Sequence, residues 1–257
     1  MNTLEKILST KKEEVKKRLS HITGNLLSKQ HEDIRVPRSF LKPLRENFSI
    51  IAEVKKASPS KGVIRKDFHP FEIAKDYEEN GASCISVLTD EKFFQGKNTY
   101  LSEIKQQVSL PLLRKDFIID AKQIRESYEL GADAILLIVA ALEKNQLTEF
   151  LEIAKSFSMD ILVETHTEEE IETALEVGSD LIGINNRNLK SFTTSLDTSL
   201  RLKQAIPESV LTVSESGIKT TEDIAQLQKA GFNAILIGET LMREKKPGKA
   251  LKELMQK

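Results

Sequence analysis

The stretch ELGADAILLI at residues 129–138 decides the fold, because the same phrase returns as EVGSDLIGI at 176–184 and KAGFNAILIG at 229–238. Each copy is the end of a helical pattern, a glycine, and a short apolar run. A residue just past a helix usually takes the left-handed conformation, which glycine adopts without a Cβ clash, so Gly131, Gly178 and Gly231 read as helix stops before a strand. Gly81 stands in the same place before the run that starts at Cys84. Working outward, apolar runs occupy Ser49–Val54, Cys84–Leu88, Leu110–Leu113, Ala134–Ile138, Ile161–Val163, Leu181–Ile184, Val210–Val213 and Ala234–Ile237. They recur roughly every 20–35 residues, and helical periodicity fills most of the gaps. It covers Phe71–Glu79, Lys122–Leu130, Glu143–Phe157, Glu168–Val177, Leu196–Ala205 and Thr221–Lys229. Strands with near-continuous apolar cores, alternating with helices, make a parallel sheet covered by helices. Eight such units predict a (β/α)8 TIM barrel. An open doubly wound sheet is the rival, but the turn after the first run, KKASPSKG at 55–62, lacks the G-x-G-x-x-G pattern.

The 257 residues fit one domain, divided into a helical extension and connector at 1–48 and the barrel at 49–257. In the extension, Leu4, Ile7, Leu8, Val15 and Leu19 form the apolar side of a helix over Asn2–Leu19, expected to pack on the barrel body. Residues 20–48, with Pro37 and Pro43, read as an irregular connector and a candidate cover for the barrel mouth. Lys and Arg number 38 against 39 Asp and Glu, and this near-neutral balance argues against partners that require many phosphates to be neutralised. Nucleic acid and membrane partners are not expected, and no obligate protein partner is evident. The Lys- and Glu-rich N-terminus shows no secretory signal, so the expected location is cytoplasmic. The single Cys84 excludes an intramolecular disulfide; it opens its run and reads as core rather than nucleophile.

In such a barrel the chemistry lies where strands end. Period 2 places Glu53 and Lys55 on one face with Val54 turned toward the helices. By the same count Lys115 is in phase with Leu113 and Phe117, Glu164 with Leu162, and Asn185 with Arg187. Lysines beside carboxylates at the ends of several strands suit general acid and base catalysis, because burial and neighbouring charges tune both groups. Lys115 is expected to point into the mouth near Glu53 and Glu164, with its pKa held below that of a free lysine. The last two runs lead into glycine-bearing turns, SESGI at 214–218 and GE at 238–239, suited to bind phosphate through backbone N–H groups. Gly217 and Gly238 would allow a ligand to approach the backbone closely. Phe93 and Phe94 stand in a charged loop where one of them could flank an aromatic ligand. His166 follows Glu164, but no second His or Cys lies at metal-ligand spacing, so no metal is expected; His21, His31 and His69 read as surface or loop residues.

These stretches together resemble the indole-3-glycerol phosphate synthase family. The resemblance rests on IIAEVKKASPSKG (50–62), SVLTDEKFFQGK (86–97), LLRKDFIID (112–120), LLIVA (136–140), LVETH (162–166), GINNRNL (183–189), SESGI (214–218) and ILIGETLMR (235–243). It runs over essentially the whole chain. It implies a carboxy-lyase of tryptophan biosynthesis that ring-closes, decarboxylates and dehydrates 1-(2-carboxyphenylamino)-1-deoxyribulose 5-phosphate, with no cofactor. By the resemblance Lys115 is the general acid for ring closure and Glu164 the base of the dehydration. Glu53 resembles the carboxylate that interacts with the catalytic lysine, Lys55 a mobile second lysine, and Asn185 and Arg187 substrate-orienting residues. Ser58 resembles a polar loop contact, Phe94 and Phe117 the walls of an anthranilate pocket, and Ser216, Gly217, Gly238 and Glu239 the phosphate site. Some family members carry Ser where this chain has Glu239, so its backbone N–H is expected to serve while the side chain turns away. A sister barrel such as a phosphoribosylanthranilate isomerase would favour an Asp/Cys pair at strand ends, and a non-catalytic barrel scaffold would show a degraded site.

Overall fold

The computed structural model describes residues 2–20, 35–188 and 191–256. Helix α1 (Thr3–Arg18) and the short α2 (Leu41–Glu46) precede β1 (Ser49–Val54), which runs into a small antiparallel hairpin, β2 (Ala57–Ser58) and β3 (Gly62–Val63). After α3 (Pro70–Glu79) come β4 (Cys84–Leu88), α4 (Glu91–Phe94) and α5 (Asn98–Gln107). Then strands and helices alternate strictly: β5 (Leu112–Lys115), α6 (Ala121–Glu129), β6 (Ala134–Ile138), α7 (Lys144–Ser156), β7 (Asp160–Thr165) and α8 (Glu168–Glu176). The chain ends with β8 (Leu181–Asn185), α9 (Asp197–Leu202), β9 (Leu211–Glu215), α10 (Thr221–Lys229), β10 (Ala234–Ile237), α11 (Glu239–Met242) and α12 (Pro247–Met255).

Eight strands close in the order β1-β10-β9-β8-β7-β6-β5-β4, every neighbour parallel, which is the (β/α)8 barrel that the repeated phrase predicts. The stops behave as expected: Gly131 and Gly231 sit at φ 96° and 81°, where a side chain would be strained. Alternation splits the core in two. Ile50, Ala52 and Val54 face the helices, while Ile51, Leu113, Leu136, Leu162, Val213 and Leu236 fill the barrel interior.

Four strands differ from the apolar runs, β8 by its last residue Asn185, and the differences share a cause. β5 starts at Leu112 because Pro111 has no N–H for the ladder, and it reaches Lys115; β7 extends to Thr165 and β9 to Glu215. Strand geometry continues into the polar residues of the mouth, where apolarity stops. α5 and α12 were not among the helices read from periodicity.

α1 packs on the barrel, as its apolar stripe implies, and Thr3, Leu4 and Ile7 reach the cavity at the mouth. The described part of the connector closes the opposite end instead of the mouth. Phe40 and Leu44 plug the interior beneath Cys84 and Leu113, and the Asp160 carboxylate accepts the Phe40 and Leu41 N–H groups at 2.7 and 3.0 Å. The reason is sequence polarity: Phe40 and Leu44 match the apolar strand starts, not the charged strand ends. Cys84 is buried there, far from the mouth, and burial pushes its thiol pKa up. His69 is exposed beside Asp67, while His21 and His31 lie outside the described residues. Among the described residues no helix is long and apolar enough to cross a membrane.

Candidate active site

The interior rows that are apolar at the base turn polar in their last register. Glu53, Lys115, Glu164, Asn185, Glu215 and Gly238 all line one cavity of about 650 Å³ at the C-terminal ends of the strands. Lys115 is its centre. The ammonium donates to Glu164 Oε2 at 2.8 Å and lies 3.3 Å from Glu215 Oε2. Burial alone would lower its pKa, but Glu164, Glu215 and Glu53 outweigh burial and raise it, so the expected depression does not occur. The third carboxylate explains the reversal: Glu215 is in phase with Leu211 and Val213, and a count by two along SESGI would have found it.

The two glutamates around Lys115 are driven apart. Burial opposes ionisation of Glu164, yet Lys115 and His166 win and hold its pKa low. At Glu215 burial prevails over Lys115, helped by the negative charge of Glu164, and pushes it up to about 7. Two carboxyls with separated pKa values can divide the roles of proton acceptor and proton holder. Glu215 fits only because residue 183 is glycine; a Cβ there would stand 2.2 Å from Glu215 Oε1.

The resemblance implies that Glu53 interacts with the catalytic lysine, and in the structure it acts on Lys115 through its charge. It pairs with Lys55, two residues away on the same face. The Asn185 side chain favours the ionised form of Glu164, and its Oδ1 accepts the Arg187 N–H at 3.0 Å. Phe94 and Phe117 stack with centroids 6.2 Å apart and form one wall of the cavity; Phe93 lies under Lys92 and is absent from the lining among the described residues. Ser58 is buried at the rim with a hydroxyl that has no hydrogen-bond partner among the described residues.

Ser216, Gly217, Gly238 and Glu239 gather at the far end of the same cavity, with φ 67° and 83° at the first two. Two expectations change here. The space left by Gly238 is filled by Glu53, whose Oε2 would be 2.2 Å from an added Cβ, so this glycine makes room for a carboxylate rather than for a ligand. The Glu239 side chain is not turned away: Oε1 accepts from Arg243 at 2.8 Å and Oε2 lies 3.5 Å from Arg187. Burial would raise the Glu239 pKa, but Arg243, Lys61 and Arg187 lower it, and these cations hold it at the rim.

The network behind Lys115 was missed by sequence reasoning. Lys11 on α1 is buried and bridges Asp90 at 2.8 Å and Asp116 at 2.9 Å. Burial lowers the lysine pKa, but these two carboxylates raise it above the ordinary value. Asp90 caps α4, which carries Phe94, and Asp116 directly follows Lys115 and takes a bond from buried Arg114. The signal was available: position 11 continues the spacing of Ile7, Val15 and Leu19 onto the buried face, and a buried lysine requires an acid. Among the described residues no group of three or more His, Cys, Asp or Glu is arranged to hold a metal ion.

A closed (β/α)8 barrel with a charged lysine among carboxylates at the floor of its cavity is an acid–base enzyme of the TIM-barrel class. A family model described as indole-3-glycerol phosphate synthase matches residues 4–254. Relatives of that name from Alkaliphilus metalliredigens (strain QYMF) and Legionella pneumophila (strain Paris) are 51% and 52% identical, over 98% of this chain and 97% and 98% of theirs. The chain belongs to the indole-3-glycerol phosphate synthase family. Solved structures at lower identity share the fold alone. A 3-hexulose-6-phosphate synthase superposes with TM-score 0.65 at 14% identity, covering 80% of this chain and 98% of that one. An N-acetylmannosamine-6-phosphate 2-epimerase from Clostridium perfringens gives 0.63 at 13%, covering 90% and 98%.

Proposed function

We infer that the chain performs the reaction of its family with Lys115 as proton donor and Glu164 as base. It is a carboxy-lyase of tryptophan biosynthesis, and its substrate is the phosphorylated carboxyphenylamino-deoxyribulose. The observation that carries the assignment of roles is the 2.8 Å contact between Lys115 and Glu164 at the cavity floor. The aryl carbon that bears the carboxylate attacks the ketone, and the oxygen becomes an alkoxide, which is more basic than an amine. A lysine held fully charged by Glu164 and Glu215 is therefore always loaded to donate as the bond forms. Loss of CO₂ restores the aromatic ring. In the last step hydroxide leaves as water, assisted by an acid, while Glu164 removes a proton from the adjoining ring carbon.

Phe94 and Phe117 would hold the aryl ring, and Arg187 with Ser58 the polar groups between the ends. Backbone N–H groups at Ser216, Gly217 and Glu239 would hold the phosphate, with Lys55 and Glu53 as a second proton-bearing pair beside the sugar. The reaction needs positioned acids and bases, and we assign it no metal or organic cofactor. A cytoplasmic location without an obligate protein partner suits a small soluble substrate. The test is incubation with the substrate while following indole absorbance and fluorescence; the chain has no Trp to mask the signal. Indole appearance supports the reading, and its absence with folded enzyme overturns it.

A further inference from the structure

Glu164 has two sides. Its Oε2 faces Lys115, and its Oε1 faces the ring of His166, whose Nε2 is 3.4 Å away. On the other side of the ring, Nδ1 meets Glu170 Oε2 at 3.3 Å, and that oxygen also accepts the His166 backbone N–H at 2.6 Å. Glu170 belongs to the first turn of α8 and is partly open to solvent. His166 has a side chain only 9% exposed, and its Nε2 has no hydrogen-bond partner among the described residues. It stands behind Glu164, off the cavity wall described above. A buried ring nitrogen that meets a carboxylate oxygen at 3.4 Å without a hydrogen bond is only loosely satisfied, and in a native structure it calls for a reason. Because Nδ1–H is held by Glu170, Nε2 is the nitrogen free to exchange a proton with Glu164.

The reaction itself supplies that reason. An ionised carboxylate leaves as CO₂, so each turnover takes up one proton. Two protons are donated, one to the ketone oxygen and one to the departing hydroxyl, and only one is recovered from the ring carbon. We propose that His166 is a proton-storing, positioning residue that supplies the missing proton to Lys115 through Glu164. The step balances as follows. After ring closure the Lys115 amine is uncharged; the Nε2–H bond of the imidazolium breaks and an O–H bond forms on Glu164 Oε1. The Glu164 carboxyl then turns about its Cγ–Cδ bond and brings the protonated oxygen to the amine, where that O–H bond breaks as the N–H bond of the ammonium forms. Glu164 later collects the ring proton and returns it to Lys115 after the second donation. His166 ends neutral and takes its proton back from solvent once product has left. The groups that face the ring favour the charged form: Glu164 on β7, Glu170 on α8 and Glu215 on β9, with Lys115 beyond Glu164 as an opposing charge. Burial alone would lower the His166 pKa, but these carboxylates raise it.

The inference rests on Glu164 as the base, and its test separates the two. Wild-type, His166→Gln, Glu170→Gln and Glu164→Gln enzymes are assayed for kcat and KM from pH 5.5 to 9, with circular dichroism to confirm folding. The stored proton is present below the His166 pKa and lost above it, so wild-type kcat should decline on the alkaline side. His166→Gln, which keeps a polar side chain but cannot carry a proton, should lower kcat about tenfold and remove that decline, with KM little changed. Adding imidazole buffer should restore part of the rate. Glu170→Gln removes a carboxylate that stabilises the imidazolium, so the alkaline decline should move to lower pH; this holds even if His166→Gln fails to fold. A folded His166→Gln enzyme with wild-type kcat and pH profile overturns the relay, as does an unmoved decline in Glu170→Gln. If Glu164→Gln keeps its activity, the base assignment fails with it; if Glu164→Gln is inactive while His166→Gln is unaltered, only the relay fails.

Discussion

The two ends of the barrel each bury a carboxylate, and they treat it oppositely. At the closed base, Asp133 is fully buried and saturated: it accepts from Arg35 at 3.0 Å, the Arg38 N–H at 2.7 Å, Lys105 at 2.6 Å and the Leu112 N–H at 3.0 Å. At the mouth, Glu215 is just as buried, but among the described residues it meets a single cation at 3.3 Å and its Oε1 has no hydrogen-bond partner. A saturated carboxylate locks the chain, because removing any partner leaves a charge stranded. An under-satisfied one is held ready, and its proton affinity responds to whatever enters the cavity. The same fold therefore uses one chemical group for stability at one end and for reactivity at the other.

That contrast breaks most visibly at Lys115. Lys115→Ala should lower kcat by about 10²–10⁴ while the substrate still binds through Arg187 and the phosphate loops, and Lys115→Arg should restore little because guanidinium is planar and holds its proton. Measured kcat and KM decide; a folded Lys115→Ala enzyme keeping more than about a tenth of wild-type kcat moves the acid role to Lys55. At the other end, Asp133→Ala should destabilise by about 3 kcal/mol and lower Tm by roughly 10 °C, yet leave kcat unchanged at temperatures where the enzyme stays folded. A matching loss of kcat there would erase the division between the ends.

Gly238→Val tests how tightly the mouth is set. The new side chain must displace Glu53, so kcat should fall about tenfold instead of KM alone rising. A pure KM effect would show that Glu53 tolerates the push. Glu215 predicts a pH signature. Its folded pKa is raised, so the fold binds a proton that the unfolded chain releases between pH 4.5 and about 7, and stability falls as pH rises through that window. The Tm of Glu215→Gln minus that of wild type should therefore grow from pH 4.5 to 7.5, and a constant difference would mean Glu215 is ionised throughout. The smallest effect belongs to the rim: Glu239→Ser frees Arg187 and removes a negative charge near the phosphate loops, so KM should drop by about two- to fourfold. A higher KM would show that the carboxylate organises the site.

The base-to-mouth gradient also explains how much of the fold and the site is legible in the sequence. Helix stops such as Gly131 and Gly231 are local signals, so the barrel followed from a phrase repeated along the chain. Glu53 and Lys55 are near in sequence and their pairing is local as well. Lys115 finds its partners at residues 164 and 215, and nothing local announces which acid it will meet. Apolar runs underestimated β7 and β9 because interior positions become polar at the mouth, and this hid Glu215 behind the glycine it precedes. Phe40 could not be assigned to an end of the barrel from a connector that has no periodicity. Lys11 was passed over because a stripe of apolar residues reads as complete without it.

Lys11 carries a consequence for how the molecule is made. Its carboxylate partners, Asp90 and Asp116, emerge from the ribosome after it, the second by about a hundred residues, which at typical rates is roughly 5–20 s of translation. Until then the acid beside it is Glu14 on the same helix, 3.0 Å away and partly open to solvent, so the buried pairing that seats α1 on the barrel waits for the later residues. The seating of α1 over the mouth is thereby tied to a segment made later: its buried ion pairs with Asp90 and Asp116 form only once the loop beside Lys115 exists.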